Sequence, residues 1–216
     1  MDKRFSILLI IVFNLVPIVG VAYFDWQPFE AFWFFWVETL IMAVFNAIRI
    51  VFSQNQLPAE IHTQKPLVYH WKKGITYLLI RFLIFLFYSI FIIVFIGFIA
   101  NVKDDKITVV TTIFFHNKLF NLGLLISIIS QVYYLVAGYF RNGIYLTASP
   151  DRYAAIFDGR QIVMHVAIVL GGAGSVFLIQ KTSFGNYSGI VIISLLCICK
   201  CIFDLMNNKI DVNTGE

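Results

Sequence analysis

The chain has 216 residues, of which 60% are hydrophobic and 13% charged, against about 25% charged in a soluble domain. A net charge of +4 without any Lys/Arg run gives nucleic-acid binding little support, and three cysteines within five residues of an apolar stretch (Cys197, Cys199, Cys201) are not a disulfide framework. The length suits one all-α transmembrane bundle over 1–216, with no room for a second soluble domain.

A span needs about 20 mostly apolar residues, because a helix rises about 1.5 Å per residue and the hydrocarbon core is about 30 Å thick. Six stretches qualify, at 5–24, 29–52, 75–100, 119–140, 161–180 and 188–206. The first follows a short basic segment, but it is longer than the apolar core of a signal peptide and runs into Asp25, Trp26, Gln27 and Pro28 rather than a small-residue cleavage site. It therefore reads as a retained span forming a hairpin with the second. The 53–73 loop is polar and holds Pro58 and Pro66. The 101–118 connection has a charged tip followed by ITVVTTIFF, which reads either as an interfacial or re-entrant piece or as an extension of span four. The 141–159 loop contains Gly143 and Pro150, and no strong internal repeat is visible, which weakens an inverted-repeat transporter reading.

With the N-terminus placed inside, Lys3, Arg4, Arg49, Lys65, Lys72, Lys73, Arg81, Arg141, Arg152, Arg160 and Lys209 lie on or near the cytoplasmic side. Lys103, Lys106, Lys118 and Lys181 lie outside, and Lys200 is within span six. The excess of Lys/Arg on one side fits six spans with both termini cytoplasmic. Trp26, Trp33 and Trp36 would anchor the outer end of span two in the aromatic belt.

A charge at the bilayer centre costs about 2.5–3.5 kcal/mol on insertion scales, so intramembrane polar residues are the functional candidates. Counting along each span puts Arg49, Arg81, Arg160, His165, Lys200 and Asp204 in one layer near the inner leaflet. Lys200 and Asp204 are four apart and share a helix face, either as a self-neutralising pair or as the lining of a cavity for an anion such as a lipid headgroup. Arg160 and His165 are about 140° apart around their helix, so they can flank one cavity but not share a stripe. His165 could move a proton near neutral pH, with Asp204 orienting it; these two are the candidate catalytic residues if the protein is an enzyme. Glu38 and His116 form a possible second polar site on the outer half, provided the 107–118 segment folds back.

No HExxH, CxxC or paired-His helix is present, so neither a metal nor another cofactor is expected. Cys197 and Cys201 share a helix face and Cys199 points elsewhere, as small buried hydrophobes. Ala167, Gly171 and Ser175 have small-xxx-small spacing, a packing face within the bundle or between copies in a homo-oligomer.

Several segments also resemble a known family when taken in order. They are 14–20 (NLVPIVG), Trp36-Val-Glu38 with Asn46 and Arg49, Phe114-Phe-His116, 160–172 (RQIVMHVAIVLGG), and Lys200 with Phe203-Asp204-Leu205. Together they resemble an uncharacterised family of small bacterial multi-pass membrane proteins, a domain of unknown function. The resemblance covers most of the chain and implies a helical bundle in the bacterial cytoplasmic membrane with membrane lipids as neighbours; it implies no activity. Three functions therefore stay open: binding or transport of an ion, an anionic lipid headgroup or a small solute; an intramembrane enzyme acting on a lipid or isoprenoid; and an oligomeric channel or membrane-permeabilising effector.

Overall fold

The computed structural model describes residues 3–24, 26, 28–56, 66–94, 106–156, 162, 166, 193–194, 196–202 and 204–205. The described residues are helices, turns and loops, with no strand among them. In chain order the helices are α1 (Lys3–Tyr23), α2 (Pro28–Phe52), α3 (Trp71–Phe91), α4 (Lys106–Ile113), α5 (Lys118–Tyr133) and α6 (Ile144–Thr147). A π-helical segment (Tyr134–Phe140) prolongs α5, a 3₁₀ turn spans Pro150–Tyr153, and the described residues of 193–205 are helical.

Among the described residues, three stretches are long and apolar enough to cross a membrane: Phe29–Phe52, Trp71–Val94 and Val110–Phe140. The third is not one straight helix. The Phe115 N–H bonds the Thr112 carbonyl, the His116 N–H bonds the Thr111 carbonyl, and Phe115 itself has φ +58°. That is the helix-ending motif with a left-handed residue just past the cap, a place usually filled by glycine. Asn117 then starts α5, its side-chain oxygen accepting from the Leu119 and Phe120 N–H groups at 3.0 and 3.2 Å. The ITVVTTIFF run is thus a separate short helix set against α2, rather than an extension of span four.

α2 is the central element. Residues 29–38 are buried around the whole helix, six aromatic rings among them, as required of a helix enclosed by others. It packs against α1, α3, α4, α5, the π segment and the 3₁₀ turn. α1 holds Pro17 in its interior, which withholds one backbone donor from the helix ladder.

α5 approaches α2 closely at Gly123. A Cβ built there would lie 2.7 Å from Phe34 Cε2 and 3.2 Å from Val16 Cγ1, inside van der Waals contact. Gly123→Ala is expected to destabilise the protein by about 1–3 kcal/mol through overpacking, read as a lowered Tm in detergent. An unchanged Tm would show that Phe34 has room to move.

At the opposite end of α2, the His70 N–H bonds the Val51 carbonyl at 3.0 Å, and a loop follows α2 whose Gln54, Asn55 and Gln56 N–H groups bond carbonyls of Tyr145, Ala148 and Leu146. These bonds tie the 144–156 region to the α2–α3 corner.

Candidate functional site

Four polar side chains converge from three helical segments onto one buried point. α1 carries Asn14, α2 carries Glu38, and the C-terminal helical residues carry Lys200 and Asp204; exposure is 3% for Asn14, 8% for Glu38, 4% for Lys200 and 5% for Asp204. Lys200 Nζ lies 2.9 Å from Asp204 Oδ2 and 3.1 Å from Glu38 Oε2. It also donates to Asn14 Oδ1 at 3.4 Å and sits 5.0 Å from the centroid of the Phe35 ring. Asn14 Nδ2 donates to Asp204 Oδ2 at 3.3 Å and back to the Ile10 carbonyl at 2.9 Å.

The arrangement follows from side-chain chemistry. An ammonium has three donors, and three oxygens surround this one. The Phe35 ring face adds a cation–π contact. Asn14 uses its amide as both donor and acceptor, which holds the cation and one of its carboxylates in register.

Depth can be read from helix position. Glu38 is ten residues into a 25-residue helix and Asn14 eleven into a 21-residue one. Both therefore lie near mid-helix, about 15 Å from the helix start at 1.5 Å per residue.

Counting along span six places Lys200 and Asp204 toward an inner end, in one layer with the arginines. The structure instead sets them beside Glu38. Arg49, eleven residues further along α2, is about 16 Å from that level. Its guanidinium donates to Asn46 Oδ1 at 2.7 Å and stands 5.9 Å from the centroid of the Tyr153 ring. Its carbonyl accepts from Tyr139 Oη and Ser53 Oγ, whose hydroxyls are 2.9 Å apart. Arg81 is buried on α3, donating to the Ile156 carbonyl at 2.6 Å with the Tyr77 ring 5.9 Å away. The two arginines thus belong to the end of the bundle where 139–156 folds back, and the single layer divides into two. Arg160, His165 and the Ala167/Gly171/Ser175 face lie outside the described residues.

The Glu38–His116 grouping changes as well. Glu38 joins the Lys200 cluster, whereas His116 is exposed on the turn between α4 and α5. The carboxylate served by that turn is Glu30, one α2 turn-pair nearer the helix start. Its Oε1 accepts from Asn117 Nδ2 at 2.9 Å and from Thr112 Oγ1 at 3.3 Å. The physical reason is the helix break at Phe115, which aims Asn117 rather than the histidine inward.

Sequence reasoning missed Asn14 and Glu30 as site residues. Each had a signal: an amide alone in an apolar helix, and a carboxylate inside an aromatic run. On the shared face Cys197 is buried and Cys201 half-buried, whereas Cys199 is exposed rather than a buried thiol, because it turns away from that face. Among the described residues no three His, Cys, Asp or Glu side chains are grouped to hold a metal ion.

The chain is therefore a helical protein with membrane-length helices and a buried polar cluster built on the central one. Residues 1–215 match the model of the Family of unknown function (DUF6498), and the chain belongs to that family. No curated protein and no solved structure matches it.

Proposed function

We propose that the protein is a six-span integral membrane protein of the bacterial cytoplasmic membrane, both termini inside, which binds or transports an ion at the Asn14/Glu38/Lys200/Asp204 cluster, with a proton as the favoured ion. The observation that carries this reading is one ammonium held within 3.1 Å of two buried carboxylates at mid-helix depth. Ionisable groups inside a membrane are rare and mark ion and proton pathways. Ionisable groups in contact titrate as a set rather than singly, which is the behaviour a proton-binding site requires. The same geometry argues against an anion at Lys200, because two carboxylates and an amide oxygen already stand around its ammonium. A cation or proton fits the oxygens that face it.

The test is proton flux into liposomes containing the purified protein and a pH-sensitive dye, driven by a potassium diffusion potential. Wild type is expected to acidify or alkalinise the lumen according to the sign of the potential, and Glu38→Gln to fall to the rate of protein-free liposomes. Equal rates for wild type and protein-free liposomes, or for wild type and Glu38→Gln, would overturn the reading.

A further inference from the structure

Two grooves meet at the start of α3, and both are lined by Lys72 and Lys73. One, of about 380 Å³, runs between α3 and the segment after the 3₁₀ turn, past Thr76, Tyr77, Ile80 and Ile156. The other, of about 460 Å³, is completed by Tyr69, His70 and Trp71. Both are shallow and open to the surroundings rather than enclosed. The first changes character along its length, with ammonium groups at the mouth and apolar side chains further along the helix.

The surroundings fit a membrane surface. Trp71 is 58% exposed and Tyr69 47%, at the first residues of a stretch long enough to cross a bilayer. Amphipathic aromatic rings and lysines collect at that depth. Beyond them the outer face of α3 shows Ile75, Leu79, Leu83 and Leu86, a surface for hydrocarbon. The local charge is positive: Lys72, Lys73, the buried Arg81 and the exposed Arg152 against Asp151. Asp151 pairs with Lys73 at 2.5 Å, with side-chain exposures of 80% and 39%. So exposed a pair contributes little stability and can be exchanged for another anion.

We infer that this basic groove is a binding site for an anionic phospholipid. The phosphate sits between Lys72 and Lys73, displacing Asp151 from Lys73, and an acyl chain follows the groove past Tyr77, Ile80 and Ile156. Charge complementarity selects the anionic headgroup, and the apolar continuation selects a lipid over free phosphate. The inference is independent of the ion cluster, which lies on other helices.

The experiment is native mass spectrometry of the full chain released from nanodiscs that mix phosphatidylglycerol with phosphatidylcholine. Wild type is expected to retain phosphatidylglycerol in preference. Lys72→Gln and Lys73→Gln should each lower the ratio of the two adducts by about fivefold, the worth of one lysine at an anionic surface. Asp151→Asn should raise the ratio, a gain that misfolding cannot mimic. Added inorganic phosphate should leave it unchanged. An unaltered ratio in the double lysine variant, or a fall in Asp151→Asn, would overturn the assignment. Displacement of the adduct by inorganic phosphate would overturn the lipid as its source.

Discussion

Replacing Lys200 with methionine is expected to lower the stability of the folded protein by about 3–5 kcal/mol, the usual consequence of removing one member of a buried ion pair. The aliphatic part of the side chain is kept, so packing volume changes little. What changes is electrostatic: Glu38 and Asp204 lose the ammonium that stands 3.1 and 2.9 Å from them, in a site less than a tenth exposed. The thermal midpoint in detergent measures the loss. The triple variant Lys200→Met, Glu38→Gln, Asp204→Asn removes the charges together and should recover most of it, since burying neutral, hydrogen-bonded groups is far cheaper than burying a lone charge. Proton flux should stay absent in the triple variant. Recovered stability without flux separates the structural role of the cluster from its proposed role; recovered flux would assign transport elsewhere. A single variant as stable as wild type would mean that the cluster contributes nothing to folding.

Trp36→Ala should be comparably severe, about 3–5 kcal/mol, by a different mechanism. Trp36 is fully buried, stacked on Phe85 of α3 with ring centroids 5.6 Å apart and planes 5° from parallel. Its Nε1 lies 3.1 Å from both the Phe85 carbonyl and Ser89 Oγ. In a lipid environment little hydrophobic force draws helices together, so tight van der Waals packing and interhelical hydrogen bonds carry the α2–α3 contact. Truncation to alanine removes both and opens a cavity the rigid neighbours only partly close. Trp36→Phe keeps an aromatic ring against Phe85 and loses the donor, so it should cost about 1 kcal/mol. Thermal unfolding of the three proteins in one detergent checks the order. Equal losses for alanine and phenylalanine would assign the effect to the hydrogen bonds alone.

Sequence reasoning reached the helices by their apolar length. The apolar stretches at 5–24, 29–52 and 119–140 are helical, at 3–23, 28–52 and 118–140, because length and hydropathy act locally and leave a direct mark on composition. Within the candidate site, the Lys200–Asp204 pair was legible from its four-residue spacing on one helix. Asn14 and Glu38 were not legible as its partners, since nothing in the chain order says which helix lies beside which. Their distances from Lys200 in sequence, 186 residues for Asn14, carry no spatial meaning. The break at Phe115 was hidden for another reason: a phenylalanine rarely takes the left-handed conformation that ends α4, so no glycine marked the turn.

By itself, then, the sequence determined membrane-length apolar helices, and it singled out Glu38, Arg81, Lys200 and Asp204 as charges within them, though not Glu30. The tertiary structure decided how the charges are grouped. It set Lys200 at the level of Glu38, sent Arg49 and Arg81 to the far end of α2, and gave the α4–α5 turn to Glu30. Hydropathy is a property of each segment alone, whereas tilt, depth and partner choice arise from side chains of different helices fitting together, as Gly123 fits Phe34 and Trp36 fits Phe85.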